Sequence, residues 1–300
     1  MGQLQTVVTP CGPVEYREIG RGQPVVVFHG GQGSALNDTF DNVLDLDRYR
    51  IIVPSRPGYL GTPLGKNGTA TATARLVHAL LETLETGPAA LIAISLGARP
   101  AIALAALFPA SVRALVLSSP IVGAYAPRGS RTYALAHIFY NRWTEGPTWF
   151  ATRTLFRVLP RFATRRFLGS ITRQKISPLT PSHIAAVRQR IFSLRSYEGL
   201  IADLDQSIDD EQMRSVRCPT LIQHSRNDPS IGSEHPERAA RLIEGSRLQL
   251  YDNDFGHFLW VGPGAERTTG DIRAFLEEHM QPVPPAGIDD APSAGFSDLP

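Results

Sequence analysis

A hydroxyl, an imidazole and a carboxylate can together attack a carbonyl, and this chain carries one of each beside a turn. Ser95 stands in Ala93-Ile94-Ser95-Leu96-Gly97, between the apolar run 90–94 and a small-residue helical pattern over 98–108. A serine wedged into a strand-to-helix turn, with small residues two places to either side, has the form of a nucleophile elbow, in which the turn pushes Oγ out above a sheet. A helix N-cap serine would also suit this boundary, so the motif needs partners. Asp228 closes Leu221-Ile222-Gln223-His224-Ser225-Arg226-Asn227-Asp228, and His257 follows Phe255-Gly256. A serine hydroxyl is a poor nucleophile at neutral pH unless a base takes its proton as it attacks. Imidazole titrates in that range, and a buried carboxylate fixes its tautomer and stabilises the imidazolium. Asp252 and Asp254 lie nearer to His257 in sequence but follow the wrong strand. His224 and His235 read as surface or loop residues, and Asp203 and Asp205 as solvated charges.

The elements that must position these groups show in apolar runs and turn residues. Segments 6–9 and 14–19, separated by Pro10-Cys11-Gly12-Pro13, predict an antiparallel edge hairpin. The runs 25–28, 51–53, 90–94, 112–117, 220–224 and 248–251 predict further strands, and the absence of alternation in 25–28 is that of a strand buried on both faces of a parallel sheet. Helical spacing covers 72–85, 234–243 and about 263–279. Strand and helix alternate with short connections, which predicts a mainly parallel sheet with helices on both faces. Ser95, Asp228 and His257 each fall just past the C-terminal end of a predicted strand, where open α/β sheets hold their ligands. The rhythm stops between 121 and 205, an aromatic-rich helical insertion, and resumes at Cys218-Pro219. Residues 281–300 are rich in Pro, Gly, Ser and Asp, and a disordered tail is expected there.

Taken in the order serine, acid, histidine, and with His29-Gly30-Gly31 after an early strand, the chain resembles the α/β-hydrolase family over nearly all of residues 1–280. The resemblance implies an eight-stranded, mainly parallel α/β sheet flanked by helices, with a helical lid inserted after strand six. The core would be 1–120 and 206–280, and the lid 121–205. Ser95 would be the nucleophile, His257 the base and Asp228 the acid. The oxyanion hole would use the backbone N–H of Leu96, at a helix N-terminus beside the nucleophile, and that of Gly31, the residue after His-Gly, with Gln32 as the fallback. Gln32 and Phe258 are expected against the substrate, and His29 is expected to brace its loop. Several positions depart from the family pattern. Ala93 replaces the first glycine of the elbow, Ser55 an aspartate before Arg-Pro-Gly-Tyr, and Gln32 the proline of iminopeptidase relatives. Phe258 stands where carbon-carbon bond hydrolases have tryptophan, and Pro100 lies early in the elbow helix.

The implied activity is that of a cofactor-independent serine hydrolase acting on a carboxylic ester, thioester or lactone through an acyl-enzyme. Carbon-carbon bond hydrolases and iminopeptidases share the fold, and a non-catalytic binder could retain it, so the fold alone does not fix the reaction. A net charge of +2 exerts no global pull on nucleic acid, and the expected partner is a small molecule. Cys11 and Cys218 are too few and too scattered for a metal site or a disulfide framework. The glycines of 30–33 lack the Gly-Lys-Ser/Thr that would cradle a phosphate. Without a secretory segment or a membrane-length apolar run, a cytoplasmic location with no stable membrane insertion is expected. Charge is nevertheless uneven. Between 121 and 200, twelve arginines and Lys175 against Glu145 and Glu198 leave +11, so the remainder carries −9. Arg153, Arg157, Arg161 and Arg165 recur every four residues, with Pro160 expected to kink the segment. They form either a solvated cationic face or part of a cationic and aromatic lid surface for an anionic partner, such as a carboxylate-bearing substrate, an acidic carrier protein or an anionic membrane surface.

Overall fold

The computed structural model describes residues 2–176, 178–262 and 264–280, so the expected tail lies outside the described residues. The strands are β1 (Leu4–Thr9), β2 (Gly12–Ile19), β3 (Gln23–Phe28), β4 (Tyr49–Pro54), β5 (Ala89–Ile94), β6 (Val112–Ser118), β7 (Thr220–Ser225) and β8 (Arg247–Tyr251). They form one sheet in the order β1-β2-β4-β3-β5-β6-β7-β8. The β1–β2 and β2–β4 pairs are antiparallel and the others parallel.

The apolar runs explain the layering. Side chains alternate across a strand, so Val26 and Phe28 of β3, Leu91 and Ala93 of β5, and Leu115 and Leu117 of β6 enter one core. Helices α1 (Ala70–Thr83) and α2 (Ala98–Leu107) cover that face. Val25, Val27, Ala90, Ile92, Ala114 and Val116 enter a second core on the opposite face. Because both faces are covered, the strands read as continuous apolar runs.

Between β6 and β7 lie α3 (Arg131–Phe139), α4 (Glu145–Val158), α5 (Pro160–Ile171), α6 (Pro181–Ser193), α7 (Gly199–Asp203) and α8 (Asp210–Arg214). Pro160 does more than kink the arginine repeat. Leu159 leaves the helical region with φ −127° and ψ 59°, and Pro160 opens a new helix, a position where its missing N–H costs nothing. Arg153 is half-buried and donates to the Leu194 carbonyl at 2.7 Å, so the four arginines do not form one solvated line. After β7, α9 (Glu234–Leu242) returns to the first core and α10 (Ala265–His279) to the second. Among the described residues no helix is long and apolar enough to cross a membrane.

The topology fixes where a site can be. β3 lies between β4 and β5, so the chain leaves β3 towards one side and β5 towards the other. Loops that diverge in this way open a crevice at the C-terminal strand ends. The segment after Phe28 and the turn at Ser95 are the two lips of that crevice.

Candidate active site

The turn after β5 has the strain that an elbow requires. Ser95 has φ +52°, a left-handed conformation uncommon outside glycine, at the start of a 3₁₀ turn (Ser95–Gly97) that runs into α2. Gly97 is needed for space. A Cβ there would stand 2.5 Å from the Phe28 carbonyl oxygen and 2.7 Å from that of His29, both backbone atoms. The first glycine of the motif can be alanine here, because Ala93 sits in strand geometry paired with Phe28 and Leu117. Pro100 falls in the first turn of α2, where its missing N–H has no intrahelical role.

The structure brings the three groups together from the ends of β5, β7 and β8. His257 donates from Nδ1 to Asp228 Oδ2 at 2.7 Å. Asp228 Oδ1 accepts from the Ser230 N–H at 2.8 Å, the Ser230 hydroxyl at 2.6 Å and the Ile231 N–H at 3.0 Å. Burial by itself would raise the Asp228 pKa. The hydrogen bond and charge of His257, with the bonds from Ser230 and Ile231, outweigh that and hold it below the usual carboxylate range. Ser95 and His257 line one cavity of about 500 Å³. No hydrogen bond joins them among the described residues, a spacing common before substrate binds.

The loop after β3 faces the serine. Gly30 lies so close that a Cβ would be 3.3 Å from that of Ser95, and a Cβ on Gly31 would meet Leu96 at 2.6 Å. Gly31, Gln32, Leu96 and Phe258 all line the cavity, so each expected oxyanion or substrate residue is at its wall. The Leu96 N–H lies among the first amides of the turn, which lack intrahelical acceptors. His29 braces this loop from behind. It is fully buried, its Nδ1 donates to the Gly30 carbonyl at 2.8 Å, and its Nε2 accepts the Arg56 N–H at 3.0 Å. Burial, aided by Arg56, pushes its pKa well below the usual histidine value, so the ring is neutral.

Two expectations need correction. Asp203 is not a solvated charge. It is buried, pairs with Arg56 at 2.8 Å and accepts from the Tyr59 hydroxyl at 2.7 Å, while its backbone carbonyl takes the Arg99 guanidinium at 2.6 Å. Arg56 also donates to the carbonyls of His29 and Gly30, so this network ties α7 to the loop facing Ser95. Asp205, by contrast, pairs with the exposed Arg128. His224 is not a surface residue but a buried member of β7. His235 is half-buried and accepts the Gly123 N–H at 3.1 Å. All these pairings span long stretches of sequence, and no local pattern announces them.

Sequence reasoning also passed over Arg190, Trp260 and Ser230, which line the cavity as well. Ser230 follows Asp228 by two, the spacing of a side-chain turn, and could have been suspected on that ground. Arg190 is one of twelve arginines in the insertion and nothing local separates it from the rest. Among the described residues, no cluster of His, Cys, Asp and Glu could hold a metal ion.

Comparison with known proteins agrees with this geometry. The chain is 30% identical over 282 residues to an uncharacterized hydrolase, YcgS, of Bacillus subtilis, covering 92% of this chain and 99% of that protein. It is 29% identical over 271 residues to a 2-hydroxy-6-oxo-2,4-heptadienoate hydrolase of Pseudomonas putida, covering 85% and 88% respectively. Among solved structures, an alpha/beta hydrolase fold protein from Nakamurella multipartita superposes with a TM-score of 0.75 at 26% identity, covering 91% of this chain and 99% of that one. The alpha/beta hydrolase fold family model matches residues 23–263, and with the strand order and the elbow at Ser95 this establishes that the chain belongs to that family and is a hydrolase.

Proposed function

We propose that the protein is a serine hydrolase that cleaves a carboxylic ester, thioester or lactone of a small to medium, partly hydrophobic substrate through an acyl-enzyme. The observation that carries this reading is Ser95, held at φ +52° in the wall of the cavity lined by His257, whose other nitrogen is bonded to Asp228 at 2.7 Å. His257 Nε2 takes the Ser95 proton as Oγ bonds to the substrate carbonyl carbon. The carbonyl oxygen becomes an oxyanion, received by the N–H groups of Leu96 and Gly31. Collapse expels the alcohol, thiol or ring oxygen with the proton from His257. Water, deprotonated by His257, then attacks the acyl-enzyme, frees the acid and returns the proton to Ser95. Asp228 remains ionised throughout and keeps Nδ1 protonated, so that Nε2 is the free base. The chain's own side chains and amides supply every group in this scheme, and no cofactor enters it.

The cavity wall is largely apolar, with Leu135, Phe139, Tyr140 and Phe167 contributed by α3, α5 and the chain between α3 and α4, which suits a lid role for the insertion. A fluorophosphonate probe should label the protein, and Ser95→Ala should abolish labelling and lower ester turnover by about 10⁴-fold or more. An intact protein that never reacts would sink the reading. A second reading is favoured by the Pseudomonas putida relative, whose name describes a carbon-carbon bond hydrolase. Cleavage of a vinylogous diketo acid with no turnover of esters would select it.

A further inference from the structure

Among the described residues, every buried guanidinium group has an acid or a carbonyl acceptor, with one exception. Arg17 pairs with Asp41 and donates to the Ala35 and Asn37 carbonyls. Arg56 has Asp203, and Arg99 has the carbonyls of Asp203 and Ile121 on two of its three nitrogens. Arg190, on α6, is 9% exposed and its side chain makes no hydrogen bond or ion pair among the described residues. Its Nε is out of reach of water and has no acceptor. An unanswered guanidinium in such surroundings is costly. Burial pushes its pKa down to about 10, partly offset by the charge of Asp38, so it is still a cation at neutral pH.

The place of this cation is informative. Arg190 lines the cavity that holds Ser95 and His257, and among the lining residues it is the sole Arg, Lys, Asp or Glu. Its guanidinium carbon lies 5.9 Å from the ring centre of Phe258, the neighbour of the base. Trp260 lines the same cavity, and its indole N–H is also buried without an acceptor. Both residues also line a smaller cleft of about 280 Å³, where Asp38, Thr39, Asn42 and Ser193 stand. Asp38 is the acid whose charge reaches Arg190 from that side, and no ion pair joins the two among the described residues. A guanidinium without an acid or a carbonyl acceptor, in the wall of a largely apolar chamber, fits a ligand that is anionic and accepts only. A carboxylate has two oxygens for this purpose and matches a guanidinium fork.

We propose that Arg190 forms an anion subsite of the active cavity that receives a free carboxylate of the substrate. The hydrolase thereby selects carboxylate-bearing substrates over neutral isosteres. Selectivity in turnover rests on the serine-hydrolase reading above, whereas anion binding does not.

The test separates the two. Glutarate and monomethyl glutarate are titrated calorimetrically into Ser95→Ala protein, alone and combined with Arg190→Gln or Arg190→Lys. The expected result is tighter binding of glutarate than of monomethyl glutarate, weakened about 10- to 100-fold by Arg190→Gln and less by Arg190→Lys. In protein with Ser95 intact, the ratio of kcat/KM for 4-nitrophenyl glutarate to that for 4-nitrophenyl pentanoate should fall by a similar factor in Arg190→Gln. Circular dichroism and the thermal midpoint check that each variant is folded, and Arg190→Lys, which keeps the charge, serves if Arg190→Gln does not fold. Glutarate binding and ester ratio both unmoved by loss of the charge would overturn the subsite and leave the hydrolase reading standing. Glutarate binding lost in Arg190→Gln with no ester cleaved by unsubstituted protein would support the subsite and overturn the hydrolase reading.

Discussion

The sheet and the helical insertion bury their side chains in different ways. In β3, β5 and β6 nearly every side chain is enclosed, each strand feeding two cores in alternation. The insertion has a smaller core around Trp149, Phe156, Leu168 and Val187, and it leaves Trp143, Phe150 and Phe162 at 74%, 69% and 57% exposed. Several of its polar ties to the core reach the loops around Ser95 and His257. Asp203 holds Arg56 behind the His29–Gly30 segment, the Arg195 N–H donates to the Gln32 carbonyl at 2.9 Å, and the Ile171 carbonyl accepts the His257 N–H at 2.9 Å. A Cβ on Gly256 would stand 2.1 Å from that same Ile171 oxygen, and Gly256 has φ +49°. The sheet therefore supplies rigidity through apolar area. The insertion is fastened by directed contacts beside Gly30, Gln32 and His257, so that changes in it reach the cavity wall.

This contrast can be broken at defined points. Asp203→Ala should have the largest effect on stability, about 3–5 kcal/mol, because it leaves Arg56 buried without its acid. Urea unfolding would measure it, and a loss below about 1 kcal/mol would mean that the tie is dispensable. Gly97→Ala tests the sheet side of the elbow. Its Cβ can be relieved only by moving backbone, so a loss of about 3 kcal/mol is expected, at the upper end for overpacking, together with reduced fluorophosphonate labelling. Unchanged stability and labelling would show that the turn tolerates a Cβ. The smallest effect is expected at the exposed face of the insertion, where Phe150→Ser should change stability by no more than about 0.5 kcal/mol. A larger loss would place Phe150 in an interface.

Much of the architecture was legible beforehand for a local reason. Residues 25–28, 90–94 and 112–117 are apolar without alternation, which is what burial on both faces demands, and each became a strand within a residue or two of its expected bounds. The serine motif was readable because the turn at Ser95 constrains its immediate neighbours. Asp203 and His224 were misread because their surroundings come from distant sequence. Arg56 and Asp203 lie 147 residues apart, and no periodicity connects them. In the arginine repeat the interruption at Pro160 was legible, and the folded chain adds that Leu159 leaves the helical region so that Pro160 opens a separate helix.

By itself, the sequence determined the strand and helix order, the elbow and the succession Ser95, Asp228, His257, since each depends on contacts within a few residues or on the alternation of buried faces. The tertiary structure decided which charges are paired. Burial and partner distance belong to three dimensions, and only there does Arg190 separate from eleven other arginines of the insertion, as a cation without an acid in the wall of the cavity that Ser95 shares.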